Sequence, residues 1–256
     1  MNEGPLSGRG IVVTRPREHA LALAERIRAA GAHPILFPTI EILPPENTAA
    51  LSLIPRLDGF QFAIFVSPTA VMRGHAMVVA RRKWPESLRV AAVGNGTASA
   101  LEELGFHSVI APSGDADSEA LAELPELQDL QGRSVVIFRG QGGREWLRAR
   151  LESRGARVEY AECYRRVRPD ADTGRLLARW QSGGIEAVSI TSAEGLANLF
   201  EMLGATGRGY LRATPVFVPH PRIALAARKL GVRETLVTGR GDAGTVAEMA
   251  AFFAKV

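Results

Sequence analysis

Short apolar runs alternate along this chain with longer stretches in which apolar residues recur every three or four positions. The runs GIVV from Gly10, FAIFV from Phe62, RVAAV from Arg89, SVVIF from Ser134, EAVSI from Glu186 and TPVFV from Thr214 are rich in β-branched residues. That is the pattern of strands covered on both faces, as in a parallel sheet. Amphipathic stretches with helical period follow most of them and stop at Gly31, Gly105, Gly155 and Gly231, residues suited to a left-handed cap. Strands alternating with helices predict an α/β protein built on doubly wound parallel sheets.

The pattern is duplicated. GRGIVVTRPREHALALAERIRAAGAHPILFPTIEILPP, from Gly8, aligns without a gap with GRSVVIFRGQGGREWLRARLESRGARVEYAECYRRVRP, from Gly132. Arg15 falls opposite Arg139, and Gly31 and Ala32 fall opposite Gly155 and Ala156. A second pair, AIFVSPTAV from Ala63 with AVSITSAEGL from Ala187, sets Ser67 against Ser192. VAAVGNGTASALEELGF from Val90 then matches VFVPHPRIALAARKLGV from Val216. With the units called a and b, the order is a-b-a′-b′, and an internal duplication of this kind implies two α/β domains. Proline clusters in LFPTIEILPPEN and YRRVRPDAD follow a and a′ and read as extended segments that leave a domain. The four units can fold as two consecutive domains. The proline placement favours another arrangement, in which the chain leaves one domain, builds the second from b and a′, and returns.

Composition narrows the classes. The 256 residues are enough for two small domains with ample core. A 46% hydrophobic and 23% charged make-up is that of an ordinary soluble globular protein. No apolar run approaches the roughly 20 residues of a membrane span, and the polar start MNEGPLSGRG has no signal-peptide pattern. The single cysteine, Cys163, rules out an internal disulfide and fits a reducing compartment, so a cytoplasmic protein is expected. The net charge is +4, with 28 arginines against 3 lysines. Arginine grips carboxylates and phosphates with paired hydrogen bonds, so an acidic ligand fits; a genome rich in Ala, Gly and Arg gives the same excess. The arginines are scattered among few aromatics, which argues against a nucleic-acid role.

In open α/β sheets ligands gather at the carboxyl ends of the strands. Here those ends carry TRP from Thr14, VSPTA from Val66, GNGTA from Gly94, RGQGGR from Arg139, TSAEG from Thr191 and PHPRIA from Pro219. Backbone N–H groups at a helix start hold phosphate and carboxylate alike. Ser67, Thr97 and Ser192 also fit plain helix N-caps. Nucleotide motifs fail in detail: GNGTAS lacks the third glycine of a dinucleotide fingerprint, and RGQGGR lacks the Lys-Ser/Thr of a P-loop. None of the five histidines pairs with another His or with Cys163 at metal-ligand spacing, and no Gly-x-Ser-x-Gly elbow is present. Cys163 reads as a buried structural residue. His220, between two prolines, fits either a ligand contact or a turn. Tyr164 lies in the second proline-rich segment, where its ring can pack and its hydroxyl can serve as a hydrogen-bond partner or proton donor.

In their order and spacing, VVTRP near the start, FVSPTAV, AVGNGTASAL, ITSAEGL, PHPRIALAA and the tyrosine of CYRRV resemble the uroporphyrinogen-III synthase family, from about Gly8 to Phe252. The resemblance implies two doubly wound parallel-sheet domains joined by a two-stranded linker. The expected bounds are 1–38 with 172–256 for a discontinuous first domain, 46–162 for the second, and 39–45 and 163–171 for the linker strands. It implies a cyclising hydro-lyase: hydroxymethylbilane, a linear tetrapyrrole with eight carboxylates, loses water and closes with its last pyrrole inverted. It implies no metal or organic cofactor, a small-molecule substrate rather than nucleic acid or membrane, and a monomer. Carried over residue by residue, Tyr164 matches the family's proton donor, Thr97 a substrate-binding hydroxyl, and Ser67 and Ser192 the helix-start serines. Arg15, Asn95, Arg139, Gly142, Ala193, His220 and Arg222 complete the expected substrate contacts. The last repeat departs from the family, with Ile223 where a threonine is common. A bilobed anion-binding module without catalysis is the alternative reading.

Overall fold

The computed structural model describes residues 4–114, 117–239 and 241–255. The parts of the expected domains at 1–3, 115–116, 240 and 256 lie outside the described residues. The chain opens with β1 (Gly10–Val13), α1 (Arg17–Ala29), β2 (His33–Leu36) and β3 (Glu41–Leu43). After two 3-10 turns come β4 (Phe62–Phe65), α2 (Pro68–Val79), β5 (Arg89–Ala92), α3 (Asn95–Glu103) and α4 (Ser118–Ala122). β6 (Ser134–Gly140), α5 (Trp146–Glu152) and β7 (Arg157–Val167) follow. Next are α6 (Gly174–Gln181), β8 (Ala187–Ser189), α7 (Ala193–Met202) and α8 (Gly204–Ala213). β9 (Val216–Val218), α9 (Pro221–Lys229), β10 (Thr235–Val237) and α10 (Gly241–Phe253) end the chain.

Two compact units result. One takes the residues up to Glu41 and from Val167 onward; the other is Ile42–Arg166. The first holds a five-stranded sheet in the order β10-β9-β8-β1-β2, the second a sheet in the order β3-β7-β6-β4-β5. Every strand pair of the first sheet is parallel, as are β7-β6, β6-β4 and β4-β5 in the second. The sheet orders interleave the repeats. β1 and β2 of unit a sit with β8 and β9 of unit b′, while β6 and β7 of a′ sit with β4 and β5 of b.

The duplication reaches single hydrogen bonds. The Gly8 N–H donates to Gly31 O and the Gly132 N–H to Gly155 O; the His33 N–H donates to Arg9 O and the Arg157 N–H to Arg133 O. Gly31 and Gly155 share a φ of 86°, a left-handed value that L side chains avoid. In α1, Ala20, Leu23, Ala24 and Ile27 form one buried stripe, with Arg26 and Arg28 in the last turn, where cations complement the helix dipole.

Each central strand feeds two cores, because successive side chains point to opposite faces. Phe62 and Ile64 of β4 join Val135 and Ile137 of β6 under α4 and α5. Ala63 and Phe65 join Val136 and Phe138 under α2 and α3. In the first unit Ile11 and Val13 pack with α1 and α10, and Val12 with α6, α7 and α9. Full burial of such side chains contributes about 1.5–3 kcal/mol each. Among the described residues, no helix is long and apolar enough to cross a membrane.

Candidate active site

The strand-end loops turn into helices through side-chain caps. Ser67 has extended backbone and its Oγ accepts the Ala70 N–H at 3.1 Å; Ser192 does the same for Gly195 at 2.9 Å. His220 replaces serine at the equivalent place before α9, its Nδ1 accepting the Arg222 N–H at 3.1 Å. The structure excludes the helix-cap alternative for Thr97, and the burial of Thr97 sets it apart from the other substrate contacts expected at helix starts. Gly94 occupies the N-cap of α3, so Thr97 falls inside the first turn and is buried. Ala70, Thr97, Gly195 and Ile223 each lie three residues past the cap position, and all are buried. That shared inward position accounts for Ile223: its side chain joins the apolar core of its own sheet. Asn95 opens α3, and its side-chain amide donates to Gly114 O at 3.1 Å. Ala193 opens α7 and is exposed, as is Arg222 on α9.

Tyr164 owes its position to a bulge. Along the β6-β7 ladder Arg139 faces Glu162 and Gly140 faces Tyr164, which leaves Cys163 as the extra residue. Strict alternation sends neighbouring side chains to opposite faces; a bulge re-aims one of them. Cys163 and Tyr164 both join the core cluster that contains α2. The Cys163 thiol donates to Arg139 O at 3.3 Å, and burial pushes its pKa up to about 12. It is a buried thiol with its proton in place, which fits the structural role read from the sequence. Gly140 makes room for the tyrosine, since a Cβ there would meet Tyr164 Cε2 and Cζ at 2.7 Å. The Tyr164 hydroxyl lies 3.1 Å from Ser67 Oγ, and either oxygen can donate. When Ser67 donates, the tyrosine proton is left for another acceptor.

Beside this pair lies a cavity of about 200 Å³, with Arg139, Gly142, Arg144, Tyr160, Tyr164 and Arg166 in its wall. Arg139 is 5% exposed. Its Nε donates to Gly140 O at 3.2 Å, one terminal nitrogen donates to Gly142 O, and the other pairs with Glu145 Oε1 at 3.0 Å. Its guanidinium lies 4.3 Å from the Tyr160 ring centroid, a cation–π contact. The Tyr160 hydroxyl donates to Glu145 Oε2 at 2.7 Å. Burial, joined by that bond, pushes the Tyr160 phenol up to about 12. The hydrogen bonds from Tyr160 and then Arg139 hold Glu145 below the usual carboxylate range.

In the first unit Arg15 pairs with Asp242 at 2.6 Å, each side chain about one-fifth exposed. Thr14 Oγ1 donates to Ser189 O at 2.8 Å, Thr39 Oγ1 to Thr14 O at 3.2 Å, and the Asn198 amide to Thr39 O at 2.8 Å. The structure therefore brings Ser67, Arg139, Gly142 and Tyr164 into one neighbourhood. It sets Arg15, Ser192, Ala193, His220 and Arg222 at strand ends of the other sheet. Tyr160, Glu145, Arg166, Thr39 and Asp242 are not among the site residues expected from the sequence, and Arg144 figures there only as the last residue of RGQGGR. Glu145 follows RGQGGR directly and Tyr160 pairs in register with Ile137 of β6, a signal that appears once β7 is aligned on β6. Among the described residues, no group of three or more His, Cys, Asp or Glu is placed to hold a metal ion.

Fold and site together define a duplicated α/β protein whose strand ends present helix starts, hydroxyls and arginines suited to an anionic ligand. The family model of uroporphyrinogen-III synthase HemD matches residues 22–244. The chain is 34% identical to uroporphyrinogen-III synthase of Salmonella typhimurium over 91% of its own length and 96% of that protein. With the Escherichia coli enzyme the identity is 32% over the same shares. The chain belongs to the uroporphyrinogen-III synthase family. Its fold is that of a mutant uroporphyrinogen III synthase from Thermus thermophilus, with a TM-score of 0.64 and 21% identity over 97% of this chain and all of that one. The Helicobacter pylori enzyme gives a TM-score of 0.58 at 15% identity, covering 96% of this chain and 98% of that one.

Proposed function

We propose that the protein cyclises hydroxymethylbilane to the type III uroporphyrinogen, acting as a hydro-lyase without metal or organic cofactor, as a cytoplasmic monomer. The observation that carries the site assignment is the Tyr164–Ser67 hydrogen bond at 3.1 Å, next to the arginine-walled cavity, in a member of this family. The substrate's hydroxyl leaves as water, so its oxygen needs a proton as the C–O bond breaks. A phenol held at a strand end, with Ser67 able to take over as donor to it, suits that transfer. The positive charge that develops on the pyrroles is then favoured by oriented dipoles and nearby acceptors.

The harder task is regiochemical. Closure without inversion happens spontaneously, so the protein must hold a flexible polycarboxylate in the one shape that presents the other carbon of the last ring. Within each unit the helix starts are the expected hosts for carboxylates: Ser67 and Asn95 at α2 and α3 in the second, and Ser192, Ala193, His220 and Arg222 at α7 and α9 in the first. Thr97 supports α3 from inside the fold. The cavity beside Tyr164, about 200 Å³, is below the usual size of a small-molecule pocket and has room for one part of the substrate, such as a carboxylate side chain, rather than the whole tetrapyrrole.

Purified protein given freshly made hydroxymethylbilane is expected to yield the type III isomer with no additive. Tyr164→Phe is expected to lower turnover by about 100-fold, the scale of one proton-transfer contribution. A product that is type I throughout would overturn the functional reading.

A further inference from the structure

The loop from Gly140 to Arg144, at a strand end of the second unit, is held by one buried side chain. All three nitrogens of Arg139 have protein acceptors: the carbonyls of Gly140 and Gly142 and the carboxylate of Glu145. The guanidinium is wrapped by the loop that follows it in sequence. A Cβ on Gly143 would sit 2.8 Å from it. Arg139 is therefore engaged with its own loop. Its orientation is set in turn by Glu145, which binds it with one oxygen and takes the Tyr160 hydroxyl with the other. The Tyr160 ring stacks on the same guanidinium at 4.3 Å. The result is a closed set of three side chains from β6, the start of α5 and β7. Gly140, on the held loop, also bears on the Tyr164 ring, and Gly142 and Arg144 stand in the cavity wall with it.

We propose that Glu145 and Tyr160 are positioning residues for the cyclisation, acting through Arg139 to hold the Gly140–Arg144 loop as a rigid wall that grips a carboxylate side chain of the tetrapyrrole. The inference rests on the functional reading given above. A grip on a side-chain carboxylate is remote from the carbon being joined, so it acts equally on bound substrate and transition state. Its loss raises KM and leaves kcat nearly unchanged. A substrate released early closes by itself, so the type I share rises as well.

The test uses the full chain. Tyr160→Phe removes the hydroxyl and keeps the ring over Arg139; Glu145→Gln keeps the shape and removes the charge. Each is expected to raise KM for hydroxymethylbilane by about 3- to 10-fold, the scale of one ordinary net hydrogen bond, with kcat within about twofold. Because the two act on one guanidinium, the double variant is expected to match the worse single variant rather than multiply the two effects. Amide hydrogen exchange at residues 141–144, measured without substrate, is expected to speed up in both, with the melting temperature near that of the parent. Wild-type KM in both variants, or a fall in kcat with KM unchanged, overturns this inference while the parent's type III product leaves the functional reading standing. A parent that makes type I product throughout overturns both, whatever the exchange data show.

Discussion

Gly140→Ala tests whether the bulge holds Tyr164 for chemistry. The added methyl would stand 2.7 Å from two ring carbons of Tyr164 and 3.2 Å from its oxygen. Carbon atoms rest at about 3.5–4.0 Å, so the ring must retreat by about 1 Å. It has little room, because Tyr164 is 4% exposed and packed in the α2 core. Overpacking of this kind costs about 1–3 kcal/mol. Gly140 is not among the glycines with positive φ, so alanine fits its backbone and returns about 0.4–1 kcal/mol by stiffening the unfolded chain. The net loss is about 1–2 kcal/mol, which lowers the melting temperature by roughly 2–8 °C in a chain of this size.

Turnover responds more strongly, because the displaced atom is the one proposed to react. A shift of about 1 Å at a reacting group can cost about 100-fold. The assay is type III product formation beside thermal unfolding, for Gly140→Ala alone and in a Tyr164→Ala background. Without the ring the three closest contacts of the methyl are gone, so Gly140→Ala is expected to be neutral or slightly stabilising there. Wild-type turnover and melting temperature in the single variant refute the reasoning. So does an equal stability loss in both backgrounds.

Other consequences follow from single contacts. Ser67→Ala removes the cap of α2 and the partner of Tyr164; it is expected to cost about 1 kcal/mol in denaturant unfolding and to lower turnover. Trp180 donates its indole N–H to Thr214 Oγ1 at 3.0 Å in the first core; Thr214→Val is expected to cost about 1–3 kcal/mol by leaving that donor buried, and Thr214→Ser to recover most of it. The Cys163 pKa is pushed up to about 12 by burial, whereas an unfolded thiol titrates near 8.5. The folded state then holds a proton that the unfolded state has lost, so stability falls as pH rises from about 9 towards 12. Urea unfolding across that range is expected to show a shallower fall in Cys163→Ala. Some slope remains there, because Tyr160, also raised to about 12, acts in the same direction. A pH-independent midpoint in the parent would refute this.

The parts of the fold that are legible in the sequence are those the duplication states twice. Gly31 and Gly155 close equivalent helices at one φ, and Ser67 and Ser192 cap equivalent helices with one geometry. Each signal supports its partner, and local chemistry is enough to place it. GNGTA is different, because it offers Gly94, Asn95 and Thr97 to one helix start, and only packing on the sheet decides that the threonine turns inward. The bulge at Cys163 leaves no mark in AECYRRV. An extra residue exists only relative to the strand beside it, and the direction of Tyr164 depends on it. The Arg139, Glu145 and Tyr160 set is hidden for the same reason, since register and not spacing brings Tyr160 to the guanidinium.

The repeat also bears on the arginines at the ends of two inner strands. Arg15 and Arg139 are equivalent in the alignment; Arg15 follows β1 and Arg139 lies near the end of β6, each an inner strand of its sheet. Both are committed to a carboxylate of their own unit, Arg15 to Asp242 in the first turn of α10 and Arg139 to Glu145 just before α5. The two acids come from unrelated places in the repeat, so the pairing has arisen at one position by two routes. An arginine that must remain charged but hold still needs a local acid, and a carboxylate ligand arriving there competes with that acid for the guanidinium. On this argument Arg15 and Arg139 are expected to shape their loops first. Gripping substrate then falls to the exposed Arg222, to the helix starts, and to Arg144, which pairs with Glu119 but with both side chains open to solvent. Arg15→Lys and Arg139→Lys therefore differ from Arg222→Lys in kind. The first two are expected to lower the melting temperature along with turnover: a point charge cannot hold the three acceptors of Arg139 at fixed angles, and in place of Arg15 it loses the fork that faces Asp242. The third is expected to raise KM with the melting temperature unchanged.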